Sequence, residues 1–168
     1  MAENITLKFR YTEQDYIAAM RLWYIRVKKL RVKLDGIIAL ILAVFGAIAW
    51  HMFGYSIEFL TIIIVGCVFL LLIFMAMVVI PRITFRSQPK FRDEYQLRFT
   101  EDGIEFKTQS IDSKLEWNLY NQLVEDDKTY LLIYGKSMFS AIPKRVFANE
   151  AEEMKFKELV KRKIATCC

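Results

Sequence analysis

Two uninterrupted apolar runs, only three residues apart, leave this chain few ways to fold. Gly36–Tyr55 (GIIALILAVFGAIAWHMFGY) has 20 residues and Phe59–Ile80 (FLTIIIVGCVFLLLIFMAMVVI) has 22. A helix rises about 1.5 Å per residue, so each run is long enough to cross a hydrocarbon layer of about 30 Å. From Gly36 to Ile80 the only formal charge is Glu58, which lies between the runs. A charged residue at mid-span costs about 2.5–3.5 kcal/mol, so its absence there fits a pair of transmembrane helices. A 168-residue chain has too little other protein to enclose two such helices as a soluble core. The connector Ser56–Glu58 then forces an antiparallel hairpin.

Composition agrees once it is read by segment. Hydrophobic residues make up 55% of the chain and mean hydropathy is +0.23, yet 26% of residues are charged. Net charge is +4 over residues 1–35 and +2 over residues 81–168. Arg21, Arg26, Lys28, Lys29, Arg31 and Lys33 precede the first run; Arg82, Arg86, Lys90 and Arg92 follow the second; the connector has no Lys or Arg. The bias of Lys and Arg toward the cytoplasmic side therefore predicts a multi-pass protein with both termini in the cytoplasm. Trp50, His51 and Tyr55 fall at the outer interface, and Ala39, Ala43 and Ala47 form a small-residue stripe suited to close helix contact. Ala47-Ile48-Ala49 resembles a signal-peptide cleavage site, but 35 patterned residues precede the first run and a second apolar run follows it.

The flanks predict a soluble part. Ile5–Tyr11 alternates apolar and polar residues as a half-buried strand does, and Thr12-Glu-Gln-Asp15 has the form of a capping box. The helix it starts carries Tyr16, Met20, Trp23, Val27, Leu30 and Leu34 as one apolar stripe. Pro81 and Pro89 bracket a basic linker over residues 81–92. Strand patterns follow at Tyr95–Phe99, Ile104–Thr108, Leu115–Leu119, Thr129–Tyr134 and Ser137–Ile142, with Asp102-Gly103 as a hairpin signal. Asn149 and Glu152 cap a last helix with Met154, Leu159, Val160 and Ile164 on its apolar face. About 75 residues make a marginal core, which the N-terminal strand can complete because the hairpin returns both flanks to one side. The expected class is thus an α+β membrane protein. Residues 36–80 form a hairpin inserted in a small antiparallel β domain, assembled from residues 1–35 and 93–168 and closed by one helix in a pleckstrin-homology-like arrangement.

The segments EYQLRFTEDGIEFKTQ, SKLEWNLYNQLVEDDKTYLLIY and SAIPKRVF, following a strand, a basic helix and two apolar runs, resemble the YcxB-like family of bacterial membrane proteins. The resemblance rests on Asp102-Gly103, Trp117, Tyr130 and the Ile142-Pro143-Lys144-Arg145-x-Phe147 step, and it covers nearly the whole chain. It implies a bacterial inner-membrane protein with a pleckstrin-homology-like domain, and leaves the biochemical role open.

Little in the chain points to catalysis. The one histidine, His51, is separated by the bilayer from any cytoplasmic partner, and no glycine-rich phosphate loop occurs. Glu125-Asp126-Asp127 reads as a solvated turn, Trp117 as a core anchor, and Cys67, Cys167 and Cys168 as reduced thiols. No enzyme activity, cofactor, metal or nucleic-acid partner is expected; a homo-oligomer is allowed by the helix spacing. Two functions remain. One is a membrane-tethered binding or scaffold module contacting a protein partner or anionic inner-leaflet lipid through Lys144, Arg145 and the Arg21–Lys33 face, although topology alone accounts for the latter charges. The other is an immunity-type or protective protein whose hairpin binds a toxin or another membrane protein.

Overall fold

The computed structural model describes residues 4–54, 56–109, 111–135 and 138–166. Strand β1 (Ile5–Phe9) buries alternate residues, as its pattern demands, with Ile5, Leu7 and Phe9 facing inward. Helix α1 (Glu13–Leu22) opens on the expected capping box: Thr12 Oγ1 accepts from the Asp15 amide while the Asp15 carboxylate accepts from the Thr12 amide. It passes into a π-helical turn at Trp23–Val27. The single helix expected to reach Leu34 does not form. Lys29 takes a left-handed conformation (φ 54°), which ends helical progress, and Leu30 and Leu34 are exposed rather than part of an apolar stripe.

Helix α2 (Val32–Phe53) thus begins four residues before the apolar run, and helix α3 (Ile57–Phe74) returns beside it. Both are long and apolar enough to cross a membrane. Contact between them is close where small residues meet. A Cβ on Gly66 would lie 2.9 Å from the Ala39 carbonyl oxygen and 3.0 Å from the Ala43 Cβ, and one on Gly46 would lie 2.9 Å from Ile63. The contact line runs through Ala39, Ala43, Gly46 and Ala49, whereas Ala47 of the predicted stripe is exposed.

Beyond α3 the helix does not stop at Pro81. It widens into a π-helical turn (Met75–Val79) and continues as α4 (Ile80–Ser87), so much of the predicted linker is helical. A proline inside a helix lacks a donor and crowds the carbonyl one turn back; the widened turn just before Pro81 accommodates both problems.

The remaining chain forms two antiparallel sheets. One has the order β1-β2-β3-β4, with β2 (Tyr95–Phe99), β3 (Ile104–Lys107) and β4 (Asp112–Leu115). The other is β5 (Tyr120–Glu125), β6 (Thr129–Tyr134) and β7 (Met138–Pro143). Strand β1 pairs with β2 across the whole hairpin insertion, Ile5 opposite Phe99 and Phe9 opposite Tyr95. The expected strand over Leu115–Leu119 is instead the corner between the sheets: β4 ends, Trp117–Leu119 makes a 3-10 turn, and Trp117 is buried with Nε1 donating to the Thr100 carbonyl (2.9 Å).

Inner residues of both sheets share one core with helix α5 (Glu150–Thr166), which contributes Phe156, Leu159, Val160 and Ile164. Met154, assigned to that face from sequence, is 61% exposed and Phe156 takes its place. Strand β6 is buried on both sides. Tyr130 and Leu132 face the common core; Leu131 and Ile133 face α1, where Ala19 and Leu22 meet them. This is why TYLLIY is apolar almost throughout instead of alternating.

Because β1 is an integral strand, deleting residues 1–14 removes an edge of one sheet and its three buried side chains. The variant's C-terminal part is expected to lose resistance in limited proteolysis; an equally resistant fragment shows that β1 is dispensable.

Candidate functional site

Helix α1 joins the end of the hairpin where α2 begins and α4 ends to the β domain. On one side it lies on β6 and β7; on the other it contacts α4. Glu13 accepts from Arg86 Nε at 2.9 Å and lies 3.2 Å from Arg82 Nε. Tyr16 packs against Phe85 and Phe91, with ring centroids 6.0 and 4.7 Å away, and Phe85 stacks on Phe91 at 5.2 Å. Tyr11 extends the cluster to Tyr95 at 4.8 Å, and its hydroxyl donates to the Ala141 carbonyl of β7. Burial of that hydroxyl pushes its pKa far up, so it remains a donor throughout the working pH range.

The two basic residues before the last helix serve this junction. Arg145 grips Asp15 through Nε (3.0 Å to Oδ1) and Nη2 (2.5 Å to Oδ2), and donates to the Arg10 carbonyl at 2.9 Å. Lys144 Nζ lies 3.5 Å from Glu125 and 3.4 Å from Glu153, and 4.6 Å from the Tyr130 ring centroid. Tyr130 in turn donates to Glu153 at 2.7 Å. Both predicted contact residues therefore have matched charges within the chain, from partners too distant in sequence for spacing to reveal. Glu125 is likewise engaged, by Lys157 at 2.6 Å, and Asp126 Oδ1 caps its own turn by accepting from the Lys128 and Thr129 amides. Among the described residues no cluster of His, Cys, Asp and Glu has a metal-binding arrangement.

The remaining candidates differ. Arg21, Arg26, Lys28, Lys29, Arg31 and Lys33 are exposed and make no ion pair among the described residues. Lys28 lies 4.9 Å over the Trp23 ring. Ile25 and Leu30 are exposed among them. These charges and apolar side chains form a collar where α2 begins. At the opposite end of the hairpin Trp50 is half-buried and His51 exposed; Tyr55, Cys167 and Cys168 lie outside the described residues.

Sequence reasoning missed a cleft of about 700 Å³ between α1, the stalk formed by α3 and α4, and the β5–β6 turn. Gln14, Ile17, Ala18 and Arg21 supply one wall, Val78 and Arg82 a second, and Asp126, Asp127, Lys128 and Thr129 a third, with Lys144 and Arg145 at the border. No local motif announces it, because four separate segments build it.

Asp15 is the acid whose state the junction depends on. Burial works to raise its pKa, but the hydrogen bonds from Arg145 and Thr12 prevail and hold it below the ordinary carboxylate value. A carboxylate with a lowered native pKa stabilises the fold above its unfolded pKa and loses that contribution as pH falls through the native one. Stability is therefore expected to fall with acidification below about pH 4, and Asp15→Asn is expected to flatten that part of the profile. Thermal midpoints between pH 3 and pH 7 check this, and equal slopes for the two proteins contradict it.

A family model described as YcxB-like protein matches residues 99–160. No curated protein and no solved structure matches the chain. The matched stretch begins at the end of β2 and runs through β3 to β7 into α5; β1, α1 and the hairpin lie outside it. Asp102-Gly103, Trp117, Tyr130 and the Ile142–Phe147 step, on which the sequence resemblance rests, all fall inside the stretch that is similar to that family.

Proposed function

We propose that this is a bacterial inner-membrane protein whose hairpin holds a pleckstrin-homology-like module against the cytoplasmic leaflet, where the Arg21–Lys33 collar binds anionic lipid headgroups. Two antiparallel sheets of four and three strands with a closing C-terminal helix support the domain part of this reading. Two helices of membrane-spanning length, with basic residues at the shared end, support the anchor.

One contrast carries the functional part. Arg82, Arg86, Lys144 and Arg145 are held by Glu13, Glu125, Glu153 and Asp15, whereas the charges from Arg21 to Lys33 face solvent beside the apolar helices. Each unpaired basic residue near a negative leaflet is worth about 1 kcal/mol, and exposed Ile25 and Leu30 add apolar contact at the same level. The hairpin-binding alternative is weakened because Ala39 and Ala43 are occupied by Gly66 within the chain.

The full chain in nanodiscs of mixed phosphatidylcholine and phosphatidylglycerol is expected to retain phosphatidylglycerol above its bulk share when lipids are counted by native mass spectrometry. Replacing Lys28, Lys29, Arg31 and Lys33 by Gln is expected to remove the enrichment. Enrichment that survives the replacement, or none in the parent protein, contradicts the proposal.

A further inference from the structure

We infer that the cleft between α1, the stalk and the β5–β6 turn receives the headgroup of a zwitterionic aminophospholipid, its phosphate held by Arg21 and Arg82 and its ammonium by Asp126 and Asp127. The inference rests on the membrane reading above; the cleft shares Arg21 with the collar but has walls of its own and a different lipid preference.

Four observations support it. First, the cleft has the right level: Val78 and Arg82 flank the point where the apolar run ends at Ile80, which in a spanning helix is the headgroup zone. Second, it has the right size, since about 700 Å³ lies within the range of small-ligand sites.

Third, the cleft offers charges of both signs, although Lys128 stands between the acids of the turn and Asp15 on the α1 side. Arg21 is exposed without an ion pair among the described residues, and Arg82, although paired with Glu13, keeps a side chain 54% exposed. The turn across from them presents Asp127, which is exposed, and Asp126, whose Oδ1 caps the turn while Oδ2 has no such role. Two carboxylates repel a purely anionic headgroup but complement one that also carries an ammonium with N–H donors. Lys144 and Arg145 also border the cleft, with their charges already matched.

Fourth, a polar group at the cleft lacks a partner. Thr129 is 1% exposed and its Oγ1 makes no hydrogen bond. Alternation along β6 puts this side chain on the face of Leu131 and Ile133, which is the α1 side and so the cleft side. A buried hydroxyl without a partner costs about 1–3 kcal/mol, and this one belongs to a residue that lines the cleft.

The test uses the purified full chain and three defined lipids, with retention read by native mass spectrometry. Phosphatidylethanolamine is expected to be retained over phosphatidylcholine, whose quaternary ammonium has no N–H, and to show discrete stoichiometry. D126N/D127N keeps the acceptor that caps the turn and is expected to weaken phosphatidylethanolamine retention roughly tenfold. Phosphatidylglycerol enrichment at the collar is expected to stay. T129V is expected to weaken phosphatidylethanolamine retention by a smaller factor. D127N alone, at an exposed turn position, serves as the second variant if the double one has a lower thermal midpoint. Equal retention of phosphatidylethanolamine and phosphatidylcholine, or a preference unmoved by these substitutions, overturns the cleft assignment. Loss of phosphatidylglycerol enrichment in the parent protein overturns the collar instead, so the two failures are distinguishable.

Discussion

Helix α1 has two partners at once, and the rest of the molecule is arranged around that fact. Ala19 and Leu22 are buried against Leu131 and Ile133 of β6, while Glu13 and Tyr16 meet α4. The magnitudes show which contacts matter. Glu13 with Arg82 and Arg86 is a surface network, and such pairs contribute at most about 1 kcal/mol each. Truncating a buried leucine such as Leu22 costs about 2–5 kcal/mol. Apolar packing on β6 therefore fixes α1 to the domain, and the Tyr16–Phe85–Phe91 rings do most of the work of joining it to the stalk. The ion pairs set the register of that contact more than its strength.

The hairpin is consequently an insertion within a folded domain. Strand β1 enters the sheet, α1 crosses behind the second sheet, and the chain leaves through α2 and returns through α4 before β2 pairs with β1. Two covalent connections and the α1 contact join the parts, so a displacement of the stalk must move α1 and with it β6. Arg145 strengthens this by holding Asp15 at the start of α1 from the end of β7. The collar and the cleft both lie at this junction.

Much of the fold is legible in the sequence because its signals are local. The two apolar runs, the alternation from Ile5 to Phe9, the Thr12 capping box, the Asp102-Gly103 turn and the Asn149 cap each need only neighbouring residues. What was not legible either has no residue-type signal or depends on residues far apart. The break after Val27 comes from a lysine in a left-handed conformation, with no Gly to announce it. Helix continuation through Pro81 requires a widened turn that no residue type signals. Met154 and Phe156 both satisfy a helical period, and only the core decides between them. Lys144 and Arg145 read as free cations until the fold brings Glu153 and Asp15 to them, the latter from 130 residues away. The cations from Arg21 to Lys33 are legible in the sequence, but their lack of ion pairs among the described residues is a property of the folded chain.

Through α1 the β domain and the stalk form one body. Distance measurement between two spin labels tests it most directly, in a chain with its three cysteines replaced by serine and reconstituted in a bilayer. Labels at exposed Ile83 on α4 and exposed Leu119 at the sheet corner report the relation of the two parts without touching α1. A single narrow distance distribution is predicted, broadening when Leu22 and Tyr16 are both replaced by alanine. A broad or multimodal distribution in the parent protein contradicts the account.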